Sequence, residues 1–170
     1  MTNWSSIFHS SISLPFSIRR LCNHHEQVSL PSKTGEGDVF FAIKGSRCDG
    51  HQFIPEAIKR GAGAIVCEKH PESCGDNQVP HIIVADGAAA WTDANRCQWG
   101  NPDHHLKIYG VTGTAGKTTI THAIQQILGH SCGRIGTIDC QWGEHCIASS
   151  QTTPRAEYMF QILREMVDDG

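Results

Sequence analysis

Positions 110 to 119 read Gly-Val-Thr-Gly-Thr-Ala-Gly-Lys-Thr-Thr, a glycine-rich turn that ends in a lysine and two hydroxyls. These residue types, in this order, suit the cradling of a nucleotide phosphate. Gly113 and Gly116 allow positive φ and close approach of the backbone to a ligand, and the first unpaired N–H groups of a following helix point at phosphate oxygens. Lys117 adds a mobile positive charge. Thr118 offers a hydroxyl where a hard Mg2+ ion, bridging the phosphates it neutralises, takes oxygen ligands. The strict G-x-x-x-x-G-K-[ST] pattern needs glycine at 111; here that residue is Val111, with Gly110 one step early. The competing reading is a glycine-rich connection in some other α/β domain, and the intact Gly116-Lys117-Thr118 weighs against it.

Such a turn works only between a strand and a helix. Leu106, Ile108, Tyr109 and Val111 form a β-prone run before it, and Ile120, Ala123, Ile124, Ile127 and Leu128 recur after it at helical spacing. The change of period across the glycines predicts strand, turn and helix. Further upstream, 38–43 reads as a strand, 45–50 as a turn, 55–60 as a short helix with Pro55 in its first turn, and 64–67 as a second strand. This is a βαβ unit with Gly61 at the helix end. A strand at 81–84 leads into a helix over about 86–99, with Ala88, Trp91 and Ala94 as its buried stripe. Asn101-Pro102-Asp103 breaks that helix and marks the boundary between domains 1–102 and 103–170. After the glycine-rich turn and its helix, 133–138 reads as the next parallel strand and 140–148 as a hairpin or loop around Trp142-Gly143. A last helix opens at Thr153-Pro154, with Thr153 as cap and Ala156, Met159, Phe160, Leu163, Met166 and Val167 as its stripe.

The bulk properties fit this picture. The 170 residues are 39% hydrophobic and 18% charged with a formal charge of -3, which suits an ordinary soluble globular protein and provides no basic field for nucleic acid. Phosphate binding must therefore be local. The eight cysteines contain no C-x-x-C pair, so scattered thiols in a reducing compartment are favoured over a zinc ribbon, with Cys140, His145-Cys146 and His104-His105 as metal lookalikes. Residues 1–20 carry six serines, Arg19, Arg20 and no acid, a faintly transit-like composition better read as a variable N-terminal segment. No stretch reaches membrane-spanning length, and the expected location is cytoplasmic.

The phosphate turn resembles the ATP-binding signature of the Mur ligases, which add amino acids to the UDP-linked muropeptide precursor of peptidoglycan. Gly37-Asp38-Val-Phe-Phe-Ala-Ile-Lys-Gly45, Asp49-Gly50-His51-Gln-Phe-Ile54, Ala57-Ile58 and Gly61-Ala62 are similar to the N-terminal UDP-binding domain of one branch. That branch couples diaminopimelate or lysine, as third residue, to the D-glutamate of the precursor. The resemblance runs from about Val28 to the last residue and implies an α/β chain: a UDP-binding domain, then the start of a parallel-sheet ATPase domain. Its substrates would be ATP with Mg2+, a UDP-N-acetylmuramoyl dipeptide and a diamino acid.

Carried over residue by residue, Leu30 and Ser32 match the uridine-contacting pair, and Ser46, Arg47 and Cys48 match the loop after the first βαβ strand. Gln151, Thr152 and Thr153 match a segment that contacts the muramoyl group; helix capping is the other reading of the two threonines. Gly113, Thr114, Ala115 and Gly116 form the cradle, Lys117 reaches the β- and γ-phosphates, Thr118 holds Mg2+ and Thr119 meets the phosphates from the helix start. Lys117 and Thr118 are the catalytic candidates. Three positions depart from the family pattern: Ala115 stands for an asparagine and loses a side-chain amide, Pro31 replaces an acid, and Lys33 replaces an arginine.

In the family the central domain continues with a Mg2+-binding glutamate, a histidine and a modified lysine, followed by a third domain that selects the amino acid. These lie outside the 170 residues, so the expectation is an N-terminal portion without ligase turnover of its own. The alternatives are a natural truncated relative that only binds nucleotide or UDP precursor, and another Mur or folylpolyglutamate-type ligase. Asp49-Gly50-His51 argues against the folate branch.

Overall fold

The computed structural model describes residue 14 and residues 17–28, 36–45, 48–69, 79–149 and 151–170. The chain forms two compact units, Met1–Cys97 and Gln98–Gly170.

In the first unit, strands β1 (Ser17–Cys22), β2 (Glu36–Phe41), β3 (Ala64–Cys67) and β4 (His81–Ile83) make an all-parallel sheet in the order β1-β2-β3-β4. Parallel strands need crossovers, and helix α1 (Ile54–Lys59) supplies the one between β2 and β3. The run Val39-Phe40-Phe41-Ala42 is buried throughout, as expected of a strand covered on both faces. Phe40 and Ala42 join Ile65, Cys67, Ile54 and Ala57 in the core on the α1 side. Phe41 instead meets Trp91 of helix α2 (Gly87–Gln98) edge to face, with ring centroids 5.2 Å apart. The Asp86 carboxylate caps α2 by accepting from the Ala88 and Ala89 N–H groups at 2.9 Å. The buried stripe of α2 is Gly87, Ala90, Trp91, Ala94 and Asn95, so Trp91 and Ala94 lie where the periodicity puts them and Ala88 is exposed.

Strand β1 begins within residues 1–20, which read, from composition alone, as a variable N-terminal segment. It is an edge strand, and its Arg19 and Arg20 interrupt the few apolar residues, Ile18, Leu21 and Cys22. Arg19 plays a structural part, because its Nε donates to Asp38 at 2.8 Å and gives that fully buried carboxylate an opposite charge.

In the second unit, helix α3 (Lys117–Leu128) follows the phosphate turn as expected. Its surroundings differ from expectation. Residues 106–111 form no strand, and Ile108 and Tyr109 are exposed. The apolar stripe of α3 is exposed as well, at Ile120, Ile124, Ile127 and Leu128. A β-prone run becomes a strand only against a hydrogen-bonding neighbour, and no described segment pairs with 106–111.

The parallel strand expected at 133–138 is also replaced. Strand β5 is only Arg134–Ile135, and it pairs antiparallel with β6 (Asp139–Trp142), which pairs antiparallel with β7 (His145–Ala148). The chain reverses after Ile135 because the Gly136 N–H donates to the Asp139 carbonyl at 3.0 Å, while the buried Arg134 guanidinium pairs with the Asp139 carboxylate. The β6–β7 hairpin coincides with the one read around Trp142-Gly143, and Gly143 takes φ 50 in its turn. Helix α4 (Ala156–Asp169) starts later than expected: Arg155 is the N-cap without a side-chain cap bond, so neither Thr153 nor Pro154 has its predicted place. Of the α4 stripe, Phe160 and Leu163 are buried and Met166 packs on Cys140, Trp142 and Ile162. Among the described residues no helix is long and apolar enough to cross a membrane.

Candidate functional site

The phosphate turn lies in the second unit, open to solvent from Gly113 to Gly116. Two backbone conformations shape it. Gly113 has φ 150 and Gly116 has φ 79 with ψ -7, a left-handed residue that serves as the N-cap of α3. Gly116 turns the chain so that its own carbonyl accepts the first helical bond, from Ile120 N–H at 2.9 Å. The N–H groups of Lys117, Thr118 and Thr119 then belong to the first helical turn, which has no intrahelical acceptor for them. They are left for an outside acceptor, and the positive end of the helix dipole favours an anionic one.

Lys117 is the first residue of α3, and its Nζ donates to the Gly113 carbonyl at the start of the turn. The ammonium therefore sits across the loop whose amides it would assist. Thr118 is half-buried and Thr119 exposed. The Thr118 carbonyl accepts from Thr121 Oγ1 at 3.0 Å and lies 2.8 Å from His122 Nδ1, which fastens the first turn to the second. Ala115 is exposed and contributes only backbone. A Cβ at Gly116 would meet nothing within 4 Å, so the space above the turn is open. Open amides, a lysine and a threonine hydroxyl fit a nucleotide phosphate chain and its Mg2+ ion.

Gln151, Thr152 and Thr153 are exposed and precede α4, with Ser149 Oγ donating to the Gln151 carbonyl at 2.5 Å. In the first unit, Leu30, Ser32, Ser46 and Arg47 lie outside the described residues, as do Pro31 and Lys33. Cys48 is described and exposed, and its carbonyl accepts from Gly45 N–H at 3.0 Å. That bond closes the loop following β2, at the carboxyl end of the parallel sheet where ligands of α/β proteins gather.

Sequence reading named Asp49 and His51 only as part of a turn and a family pattern, and missed the contacts by which they anchor this loop. Asp49 Oδ1 accepts from the His51 N–H at 3.0 Å and lies 2.6 Å from His51 Nδ1; these bonds, the backbone one first, hold the Asp49 carboxyl below the usual carboxylate range. The His51 ring also reaches Glu68, 17 residues on. The Asp-x-His spacing hints at the first contact, and nothing local points to the second.

The comparisons with known proteins place the chain in a family. Residues 32–96 match the model of the Mur ligase family catalytic domain, and residues 111–170 match the Mur ligase middle domain. The chain is 40% identical over 163 residues to the UDP-N-acetylmuramoyl-L-alanyl-D-glutamate--2,6-diaminopimelate ligase of Aquifex aeolicus, covering 94% of this chain and 32% of that protein. It is 39% identical over 141 residues to the ligase of the same name from Geobacillus kaustophilus, covering 81% and 28%. Among solved structures, the MurF ligase of Thermotoga maritima in complex with ADP aligns with a TM-score of 0.52 at 27% identity, over 85% of this chain and 29% of that one. MurF from Acinetobacter baumannii, 18% identical with a TM-score of 0.51 over 95% and 31%, shares the fold. This sequence thus spans about a third of the length of the ligases it matches. With both domain models matched in chain order, one on the parallel-sheet unit and one on the phosphate turn and α3, the chain belongs to the Mur ligase family and carries parts of its N-terminal and middle domains.

Proposed function

We propose that this chain is the N-terminal part of an ATP-dependent ligase of peptidoglycan synthesis, one that adds diaminopimelate or lysine to UDP-N-acetylmuramoyl-L-alanyl-D-glutamate in the cytoplasm. The observation that carries the reading is the turn 113–119, with a left-handed glycine N-cap, open helix amides and a lysine held at its start. The ADP in the Thermotoga maritima relative supports nucleotide binding, and the names of the 39–40% identical relatives support the substrate.

On this reading residues 1–102 bind the UDP precursor and residues 103–170 begin the ATP-binding domain. The chemistry ATP supplies is activation of the precursor carboxylate as an acyl phosphate, from which an amine displaces phosphate to form the amide. A carboxylate is a poor electrophile until phosphorylated, so positioning and charge neutralisation dominate the catalysis. Gly113, Thr114, Ala115 and Gly116 give backbone donors, Lys117 places its ammonium on the β- and γ-phosphates, Thr118 gives its hydroxyl to Mg2+, and Thr119 caps the phosphates from the helix start. Leu30, Ser32, Ser46, Arg47 and Cys48 form the uridine side, and Gln151, Thr152 and Thr153 contact the muramoyl group.

Isothermal titration of the chain with ATP–Mg2+ and, separately, with the UDP-muramoyl dipeptide tests the reading. Saturable binding of both is the expected result. Binding of neither overturns it, and binding of the precursor alone leaves the turn without its nucleotide.

A further inference from the structure

The loop after β2 is closed at its base by three successive backbone contacts. Gly50 N–H donates to the Ile43 carbonyl at 2.9 Å, Lys44 and Asp49 form an antiparallel bridge, and Gly45 N–H donates to the Cys48 carbonyl at 3.0 Å. Immediately after it, the 3-10 turn Gly50–Phe53 is capped by Asp49, which the His51 ring grips at 2.6 Å through Nδ1. On the other side of the ring, Nε2 lies 3.1 Å from the backbone N of Glu68, just past the end of β3.

These two contacts assign the tautomer. A backbone N–H can only donate, so Nε2 is the acceptor, the ring proton sits on Nδ1, and it is donated to Asp49. Glu68 in turn accepts the Gly87 N–H on its Oε1 at 3.0 Å, which links the same point to the start of α2. The charged groups at this junction are Asp49 and Lys44 from the loop and Glu68 from the end of β3. His51, with 21% of its side chain exposed, thus uses both ring nitrogens to join a surface loop to the sheet and, through Glu68, to the start of α2.

We propose that His51, as the Nδ1–H tautomer, is a positioning residue that ties the Asp49–Gly50 turn to the carboxyl end of β3 and so fixes this end of the sheet for binding a UDP-linked ligand. The proposal rests on the assignment of this unit to precursor binding made above. A turn fixed by two side-chain bonds loses less conformational freedom on binding, which appears as affinity.

Two conservative variants separate the bonds. His51→Asn keeps a donor near Asp49 and gives up the acceptor for Glu68 N–H; His51→Gln keeps an acceptor at the Nε2 position and gives up the donor to Asp49. A long-range 1H–15N spectrum of the chain is expected to show the Nδ1–H pattern for His51. Titration of each variant with the UDP-muramoyl dipeptide is expected to show affinity about fivefold weaker, the effect of one lost hydrogen bond. His51→Ala should be weaker than both, with ATP affinity unchanged and the cooperative melt retained. An Nε2–H pattern, or precursor affinity that both variants leave intact, overturns the role of His51. Absence of precursor binding by the unsubstituted chain overturns instead the assignment of the unit on which the role depends.

Discussion

The Nζ of Lys117 donates to the carbonyl oxygen of Gly113, four residues earlier, so the cation of the phosphate turn is held against the turn's own first glycine. The arrangement places a charge at the mouth of a loop whose amides face outward, and it costs little to break because the contact is solvent-exposed.

Lys117→Ala should therefore leave stability almost unchanged, within about 0.5 kcal/mol, while weakening ATP by tenfold or more, since a charged hydrogen bond contributes about 1.5–3 kcal/mol. Titration calorimetry with ATP and with the UDP-muramoyl dipeptide checks it, alongside a thermal melt. Equal loss of both ligands would mean a folding defect rather than a missing phosphate contact.

Two glycines should respond differently to alanine. At Gly50 a Cβ would stand 2.6 Å from the Ile43 oxygen and 2.8 Å from the Ile43 nitrogen, backbone atoms that cannot swing away. Gly50→Ala should cost about 1–3 kcal/mol in urea denaturation, as overpacking does. Gly116→Ala meets open space and should cost only about 1–2 kcal/mol for its left-handed φ of 79, with the larger effect on ATP binding. A Gly50→Ala chain as stable as the unsubstituted one would contradict the closed loop.

Asp49 sets an acid-side prediction. Its carboxyl is held below the usual range by the His51 backbone N–H and then by the His51 ring. A depressed folded value means the stabilisation is complete above the unfolded carboxylate value of about 3.9 and is lost as pH falls through the folded one. Asp49→Asn should be less stable than the unsubstituted chain at pH 7, and the gap should close in the most acidic unfolding measurements. A gap that widens with acid would reverse the assignment.

Thiol reactivity reads the packing directly. Burial, and then the nearby Asp38 charge, push the Cys22 thiol up to about 12, whereas Cys48 and Cys146 are exposed. In the native chain at pH 8, a thiol reagent followed by peptide mass spectrometry should label Cys48 and Cys146 and spare Cys22 until denaturant is added. Labelling of Cys22 as fast as Cys48 would show that β1 does not pack on β2.

The parts legible in the sequence are those whose cause is local. Glycine spacing, Lys117 and the hydroxyls announce the phosphate turn and the start of α3, and the run within 38–43 announces a strand. Trp91 and Ala94 follow from helical period, and the Trp142-Gly143 hairpin from its turn. Illegible were the features that depend on a distant partner. Residues 106–111 have the composition of a strand and no described neighbour to pair with, while 133–138 turns back on itself through the Arg134–Asp139 pair. The edge strand β1 is recognisable only once Arg19 is seen beside the buried Asp38.

By itself, then, the order of residues determined that a lysine- and threonine-bearing turn precedes a helix and that a βαβ unit precedes both, because backbone freedom, helix periodicity and continuous apolarity act over a few positions. Only the folded chain decided that His51 would face Glu68, that Asp38 would be buried against Arg19, and that the apolar stripe of α3 would stay open to solvent. Those outcomes depend on which segments meet across the fold, and hydrogen-bond partners and burial exist only after that meeting.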